Sequence, residues 1–372
     1  MDFWWRRDMM RWTIALLLLA GMAFLLLVSG RQSAARNRED KLVISVTAKL
    51  ETEPVLSAGD AADDVALWVK PGHPEKSLLF ATDKKRGILI YDLQGHLKAF
   101  YPKGKTNNID LRTNFQLGGE TVDILVADER HQDVLEVFAI YPEIPAIRSI
   151  HQEPIQVGME VYGLGLYQNP RTGRTFAFVT SKQGVVKQIE LLDNGHGQVV
   201  GREVRRLKLD GVVEGTVADD ALGWVFLAEE DRAIWRFPAD PEGGNQGVVV
   251  DSISPGSPLS PDIEGLAIYT GPGTSGYLVA SCQHIGDFAV YERRPPHRYV
   301  LTFRIVAGNG VDGVSGTDGI EITSAPLGPL FPQGLLVAQD NENDANQNFK
   351  LVSWSDLIRA SRGRLSLAAA LN

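Results

Sequence analysis

After residue 40, the hydrophobic pattern of the chain is a repeat of short apolar runs, not of long amphipathic helices. In each copy an apolar run ends in Ala or Thr, a polar cluster follows, and a second apolar run comes next, as in "LLFATDKKRGILIYDL" and "WVFLAEEDRAIWRF". The residues that end the first runs are Thr82, Ala127, Thr180, Ala228, Ala280 and Ala338. Short apolar runs joined by polar turns are typical of paired β-strands.

A second marker precedes every copy and leads into another apolar run. Its four clear occurrences are Tyr162-Gly163, Glu214-Gly215, Glu264-Gly265 and Asp318-Gly319, and Asp63-Asp64 and Asp110 stand at the equivalent phase without the glycine. Both markers recur about every fifty residues, and a unit of that length holds the four strands of a propeller blade. The pattern therefore predicts an all-β fold, a single-domain six-bladed β-propeller over residues 41–372. Two β-sandwich domains are the competing interpretation, but sandwiches do not produce a steady period.

The N-terminal 40 residues have the features of a targeting segment. Arg6, Arg7 and Arg11 precede an apolar run over residues 14–28, and small residues suggest a cleavage site after Ala35. The run suits a signal-peptide core and is short for a membrane span, which needs about 20 residues. We expect an exported protein, periplasmic or secreted. A retained membrane anchor at residues 14–28 stays open as the alternative.

Composition narrows the range of functions. The formal net charge of −9 argues against general nucleic-acid binding. The single cysteine, Cys282, excludes an intramolecular disulfide. If the protein is exported, bound metal is therefore a candidate for stabilising its loops. Phe288 stands six residues after Cys282, where a cysteine phosphatase loop requires Arg. We expect the protein to be a monomer.

The polar residues that follow each first run should form a ring at one end of the channel, because equivalent positions of the blades surround one axis. Around that ring stand Lys84 and Lys85, Arg130, Lys182, Glu229 and Glu230, Cys282 with His284, and Asp340. Further acids come from the second marker and nearby loops: Asp60, Asp63, Asp64, Asp110, Glu214, Asp262, Glu264, Asp312 and Asp318. So many carboxylates repel one another unless they are neutralised, and calcium is a natural partner for them.

Each of these residues taken alone has a plainer interpretation. Asp and Asn before strands usually cap turns, and Tyr162 alone would be read as a core tyrosine with a satisfied hydroxyl. The loops "VDGVSGTDG" and "QDNENDANQNF" have calcium-binding character but do not fit an EF-hand. The shared repeat phase favours a common site over separate turns.

Several motifs in this order resemble the β-propeller phytases, also called alkaline phytases. They are "DAADDVALW", "TDKKRG", "NNIDLR", "VYGLGLY", "EGTVADDALGWVFLAEEDRAIWRF", "SPDIEGLAIY", "TDGIEI" and "ANQNFKLV", and they extend from about residue 51 to about residue 355. The resemblance implies a six-bladed propeller that removes phosphate from myo-inositol hexakisphosphate (phytate), free or as its calcium salt. It also implies a phosphoric monoester hydrolase of the 3-phytase type with several Ca²⁺ ions, both structural and catalytic.

The resemblance also implies roles for individual residues. Phosphate binding is expected from Lys84, Lys85, Arg130, Tyr162 and Lys182, and the catalytic set adds Glu214. The expected calcium ligands are Glu51, Asp60, Asp63, Asp64, Glu214, Glu230, Asp262, Glu264, Asp312 and Asp340, to which the repeat phase adds Asp318. The fifth unit, "SCQHIGDF", departs from the family pattern, which leaves the contribution of that unit open.

We hypothesise that the cations hold one phosphate while a metal-activated water attacks phosphorus in line. Two alternatives remain: a calcium-stabilised propeller of another kind, either a lactonase-like hydrolase or a non-catalytic binding module, and a phosphatase for a different ester. The lysine and arginine set facing the acids favours the phytase hypothesis.

Overall fold

The computed structural model describes residues 42–144 and 146–366. Two short strands come first, β1 (Val43–Val46) and β2 (Leu50–Glu51). Blade 1 contains β3 (Ala62–Trp68), β4 (Leu78–Asp83), β5 (Gly87–Asp92) and β6 (Leu97–Pro102). Blade 2 contains β7 (Ile109–Leu117), β8 (Glu120–Glu129), β9 (Val134–Ile140), β10 (Ile147–Ser149) and β11 (Ile155–Gln156). Blade 3 contains β12 (Leu164–Gln168), β13 (Thr175–Thr180), β14 (Val185–Asp193) and β15 (Val199–Lys208).

The second half of the chain forms three further blades. Blade 4 contains β16 (Val213–Asp219), β17 (Trp224–Glu229), β18 (Ala233–Pro238) and β19 (Val248–Ser252). Blade 5 contains β20 (Ile263–Thr270), β21 (Gly276–Cys282), β22 (Asp287–Glu292) and β23 (Tyr299–Ile305). Blade 6 contains β24 (Ile320–Thr323), β25 (Leu335–Asp340) and β26 (Asn348–Ser353). A short helix, α1 (Trp354–Ala360), follows, and single 3₁₀ turns occupy Pro74–Lys76, Pro241–Gly243 and Gln283–Ile285.

The two N-terminal strands complete the last two blades. Strand β2 pairs antiparallel with β26, with Leu50 opposite Leu351 and Glu51 opposite Lys350, and supplies the fourth strand of blade 6. Strand β1 pairs in parallel with β23 and gives blade 5 a fifth strand. Pairing the first strands with the last blades covers edges that would otherwise expose unpaired backbone groups.

Apolar side chains fill the spaces between neighbouring blades. Blades 1 and 6, for example, share a cluster that contains Leu79, Leu89, Val337 and Phe349, all of them buried. Similar clusters join blades 1 to 2, 2 to 3, 3 to 4 and 4 to 5. Each large apolar side chain removed from water in this way contributes about 1.5–3 kcal/mol of folding free energy.

The first strand of each blade lies next to the first strand of the following blade, and the ring closes between β24 and β3. The six-bladed propeller expected from the repeat is therefore confirmed, with four paired strands or more in each blade. No helix within residues 42–144 and 146–366 is both long enough and apolar enough to cross a bilayer. The expected targeting segment, with its apolar run at residues 14–28, lies outside the described residues.

Candidate active site

A polar cavity of about 890 Å³ opens at one end of the propeller axis. It lies where the first strands of the blades begin and the second strands end. The residues that line it are Gly59, Asp60, Asp63, Lys84, Asn107, Arg130, Tyr162, Lys182, Glu214, Glu264, Gln283, Asp318, Asn341, Glu342, Asn343, Ala345 and Gln347. The structure thus brings together side chains of all six blades, with cations and carboxylates in one cavity.

β-Bulges position three of the acidic segments. The pairing of the first two strands shifts register between Ala62 and Val65, between Val213 and Thr216, and between Ile263 and Leu266. The residues inside these bulges include Asp63, Glu214 and Glu264. A bulge re-aims side chains that regular pairing would hold in alternation, which is how carboxylates at the rim come to point at the cavity.

Three glutamates form an acidic cluster at the cavity: Glu214 and Glu264 line it, and Glu230 lies beside them. Glu214, Glu230 and Glu264 each offer a carboxylate oxygen, and these oxygens lie within 4.8 Å of one another. Burial, reinforced by the neighbouring carboxylates, raises the pKa of Glu214 to about 8 and that of Glu230 to about 7, and also raises the pKa of Glu264. Without a cation, this cluster favours bound protons.

Lys84 is the cation in direct contact with the acids of blades 1 and 6. Its Nζ lies 2.6 Å from Asp60 Oδ1, 3.0 Å from Asp63 Oδ1 and 3.0 Å from Asp318 Oδ2. Burial alone would lower the pKa of Lys84, but Asp63 and Asp318 outweigh that effect and raise the pKa well above its ordinary value. The ammonium therefore stays charged.

Arg130, Tyr162 and Lys182 form the second cationic group. The Arg130 guanidinium carbon lies 5.1 Å from the centre of the Tyr162 ring, and Lys182 Nζ lies 4.6 Å from the same centre. These distances suit cation–π attraction. Burial and the carboxylates of Glu214 and Glu230 raise the pKa of the Tyr162 hydroxyl well above its ordinary value. The ring thus holds both cations beside the glutamates.

Other expected site residues lie beside the cavity and not on its walls. Lys85 is exposed, and its Nζ donates to the Ala58 carbonyl oxygen at 2.6 Å. The carboxylate of Asp64 accepts hydrogen bonds from the Ile109 amide at 3.0 Å and the Asn108 side chain at 3.4 Å. Asp64 therefore lines a separate small cavity, which it shares with Glu214, Glu264 and Asp318.

The structure shows the contribution of the fifth blade, which the sequence left open. Asp262 lies 2.9 Å from the exposed His284 ring, and its charge raises the pKa of Glu230. Cys282, the last residue of β21, is buried and packs in the core between blades 4 and 5. Gln283, one residue later, lines the cavity instead.

Asp110 lies away from the cavity, although it occurs at the same repeat phase as the acids of the rim. Its carboxylate accepts hydrogen bonds from Arg112 at 3.0 Å and from the Leu166 amide at 2.7 Å. It lines a second cavity of about 520 Å³, where Asp220 also pairs with Arg112. The structure corrects the placement that the repeat phase suggested, because the blade 2 bulge falls later, between Arg112 and Phe115.

Three further acids surround Lys350 in blade 6. The fully buried Lys350 Nζ lies 2.5 Å from Glu51 Oε2 and 3.3 Å from Asp340 Oδ2, and it also contacts Asp312. The Lys350 ammonium thus already neutralises part of the negative charge of Glu51, Asp312 and Asp340. The assignment of Glu51, Asp312 and Asp340 as calcium ligands stays a prediction.

The cavity itself fits a hard divalent cation. Asp63 Oδ2 and Glu230 Oε1 are buried and have no hydrogen-bond partner among the described residues. Orphaned buried carboxylate oxygens are costly unless a cation or water satisfies them. The donor set near them consists of carboxylate oxygens, the ligands that calcium prefers.

Comparison with known proteins identifies the family. The family model described as Phytase matches residues 12–371. A curated relative named 3-phytase, from Bacillus subtilis (strain 168), is 45% identical over 354 residues, which cover 92% of this chain and 92% of the relative. The chain belongs to the phytase family. It is accordingly a phosphomonoester hydrolase of the 3-phytase type.

Two solved propeller structures are similar at a lower level. The propeller domain of Myceliophteria thermophila Cps50 (Swd1) is 14% identical, with 78% of this chain and 83% of that chain covered and a TM-score of 0.44. The Dos1 propeller is 13% identical, with 78% and 67% covered and a TM-score of 0.40. The family assignment does not depend on either of them.

Sequence reasoning missed two amides that connect the charged groups of this phytase. Asn107 contacts both Arg130 and Glu214, at 2.7 Å each. Gln283 donates to Glu264 at 3.2 Å and also contacts Asp318. Both follow the repeat pattern: Asn107 lies two residues before the first strand of blade 2, and Gln283 directly follows the second strand of blade 5. Their side chains are neutral, however, so the search for charged residues in the repeat did not find them.

Proposed function

We propose that this protein is a calcium-dependent phytase that hydrolyses phosphomonoesters of myo-inositol hexakisphosphate to lower inositol phosphates. One observation carries the proposal: Lys84, Arg130 and Lys182 share a single cavity with a cluster of carboxylates. A polyanionic substrate would be repelled by the carboxylates alone. It would be attracted once a divalent cation neutralised them.

The calcium would be held by the carboxylates that cluster at the cavity. Glu214, Glu230 and Glu264 present three oxygens within a radius that one ion can bridge, and Asp63 adds a buried oxygen without a hydrogen-bond partner. When bound, calcium would cancel the negative charge of the cluster and act as a Lewis acid toward a phosphoryl oxygen and a water molecule.

The basic side chains bind and orient the substrate phosphate. The planar guanidinium of Arg130 can donate two parallel hydrogen bonds to one phosphate, while Lys84 and Lys182 bring further positive charge from blades 1 and 3. Fixed cations of this kind stabilise the charge that spreads over the equatorial oxygens during phosphoryl transfer. The mutual packing of Arg130, Tyr162 and Lys182 holds these donors in place before substrate arrives.

The test is phosphate release from phytate by the purified protein in calcium, after chelation, and after calcium is restored. We expect release in calcium, loss on chelation and recovery on restoration. Release that survives chelation would contradict the calcium requirement. A folded protein that releases no phosphate in calcium would contradict the phytase function. Phosphate-ester and lactone panels in parallel would expose a different esterase or a lactonase-like enzyme.

A further inference from the structure

Asn107 is the one described side chain that forms hydrogen bonds to both an arginine and a glutamate of the cavity. Its Oδ1 accepts a hydrogen bond from Arg130 Nη1 at 2.7 Å. Its Nδ2 donates to Glu214 Oε1 at 2.7 Å and to the Tyr162 carbonyl oxygen at 3.0 Å. The residue is 1% exposed, so water does not compete for these bonds.

The chemistry of the partners fixes the orientation of the amide. A guanidinium only donates hydrogen bonds, so the oxygen of Asn107 must face Arg130, and the nitrogen then faces Glu214. The backbone is held equally firmly. The Asn107 amide donates to Asp128 Oδ1 at 2.8 Å, and its carbonyl oxygen accepts from Thr82 Oγ1 at 2.7 Å.

We propose that Asn107 is a positioning residue that fixes Arg130 and Glu214 relative to one another, and so ties the phosphate clamp to the carboxylate cluster. The inference rests on the proposed function, because it gives Arg130 the role of holding phosphate. Asn suits the position because it has one acceptor and one donor on a short stem. Asp would place a second carboxylate against Glu214, and Leu, of similar shape, would bond to neither partner.

The consequence for catalysis follows from the geometry. An arginine that loses a fixed acceptor samples other rotamers. Ordering it when the substrate phosphate binds then costs conformational entropy and weakens binding. Asn107→Leu should therefore raise KM for phytate and lower kcat. A variant that merely reduced the folded fraction would lower apparent kcat and leave KM unchanged.

The experiment is a double-mutant cycle on the full-length protein in saturating calcium. Asn107→Leu should lower kcat/KM by about 10- to 100-fold, the effect of losing a hydrogen bond to a charged group. In an Arg130→Ala background the same substitution should cost at least about threefold less than it does in the unmodified protein, because only the Glu214 contact of Asn107 is then left to lose. Equal losses in both backgrounds would overturn the proposal.

Asn343→Leu is the matched control. Asn343 lines the same cavity, but the hydrogen bonds described for its side chain stay within its own loop, to Asn346 and Asp344. We expect its KM to change less than that of Asn107→Leu, and an equal rise would contradict a specific role for Asn107. If the melting temperature shows that Asn107→Leu is poorly folded, Asn107→Ser removes the same contacts and the cycle is repeated.

Calorimetric titration of inorganic phosphate separates this inference from the proposed function. The cycle is measured again as phosphate affinity, without turnover. Non-additive losses for Asn107→Leu and Arg130→Ala support the positioning role even if the unmodified protein fails to hydrolyse phytate, in which case only the proposed function is wrong. Additive losses in an enzyme that does hydrolyse phytate overturn the positioning role alone.

Discussion

Lys84 and Lys85 are neighbours in sequence, yet the structure gives them different environments. Lys84 is largely buried among Asp60, Asp63 and Asp318, whereas Lys85 is exposed and bonds to the Ala58 carbonyl oxygen. Buried charges depend on their partners far more than exposed ones do. The two lysines should therefore contribute unequally to stability.

We predict that Lys84→Ala lowers the unfolding free energy of the metal-free protein by about 1–3 kcal/mol, because it leaves buried carboxylates without their cation. Lys85→Ala serves as the control and should cost less than about 0.5 kcal/mol, as for other exposed positions. Urea unfolding in chelator measures both. Equal losses of unfolding free energy in the two variants would show that the Lys84 ion pairs do not stabilise the protein.

The raised carboxyl pKa values predict how stability depends on pH. A carboxyl whose folded pKa lies above its unfolded pKa binds more protons in the folded state between those two values, so stability falls as pH rises through that interval. For Glu230 the interval extends from the ordinary pKa of 4.5 to about 7, and for Glu214 from 4.5 to about 8.

In chelator, the melting temperature should therefore decrease from pH 5 toward pH 8, within the interval set by Glu214 and Glu230. Saturating calcium should remove most of this decrease, because metal ligands bind in their deprotonated form. Glu214→Gln with Glu230→Gln is the matched control and should flatten the decrease in chelator. A melting temperature that rises over this range in chelator would contradict the acidic cluster as described.

Individual site residues could be predicted from the sequence where a charged side chain recurs at the same position of each repeat. Lys84, Arg130 and Lys182 were predicted on that basis and do line the cavity. Asn107 and Lys350 could not be found in the same way. Asn107 is a neutral amide, and Lys350 lies inside an apolar strand whose pattern gives no sign that its ammonium meets acids from two distant segments.

Between neighbouring blades, the glycines that follow Tyr162, Glu214 and Glu264 set how closely the first strands approach. A Cβ on Gly215 would lie 1.9 Å from the Glu264 carbonyl oxygen, and one on Gly163 would lie 2.1 Å from the Glu214 carbonyl oxygen. A Cβ on Gly265 would likewise lie 2.6 Å from the Asp318 carbonyl oxygen of the next blade. The glycines thus let the acid-bearing backbone of one blade touch the preceding one.

We predict that Gly215→Ala destabilises the protein by about 3 kcal/mol or more, because backbone cannot move aside as a side chain can. It should also reduce phytate hydrolysis, since the shift displaces Glu264. Gly173→Ala is the control: its Cβ meets nothing within 4 Å, although φ is +71°, so its cost should be about 1 kcal/mol and activity should persist. Thermal unfolding and phosphate release measure both variants. Similar losses in the two would show that the close approach is not important.

Over the whole molecule, the repeat predicted the number of blades but not how the ring closes. Strands β1 and β2 pair with β23 and β26, which lie more than 250 residues later in the chain. Short strands of four and two residues carry too little pattern to reveal such distant partners. The repeat phase alone does indicate that the loops at one end meet, which is why the cavity could be anticipated in outline.

The central claim is that a divalent cation converts an acidic cavity into a binding site for a polyanion. Calorimetric titration of inorganic phosphate into the purified protein, in chelator and in saturating calcium, tests it most directly, with a blank for calcium phosphate formation. The account predicts weak or no binding in chelator and affinity at least about tenfold higher in calcium. Equal phosphate affinity under both conditions would contradict it.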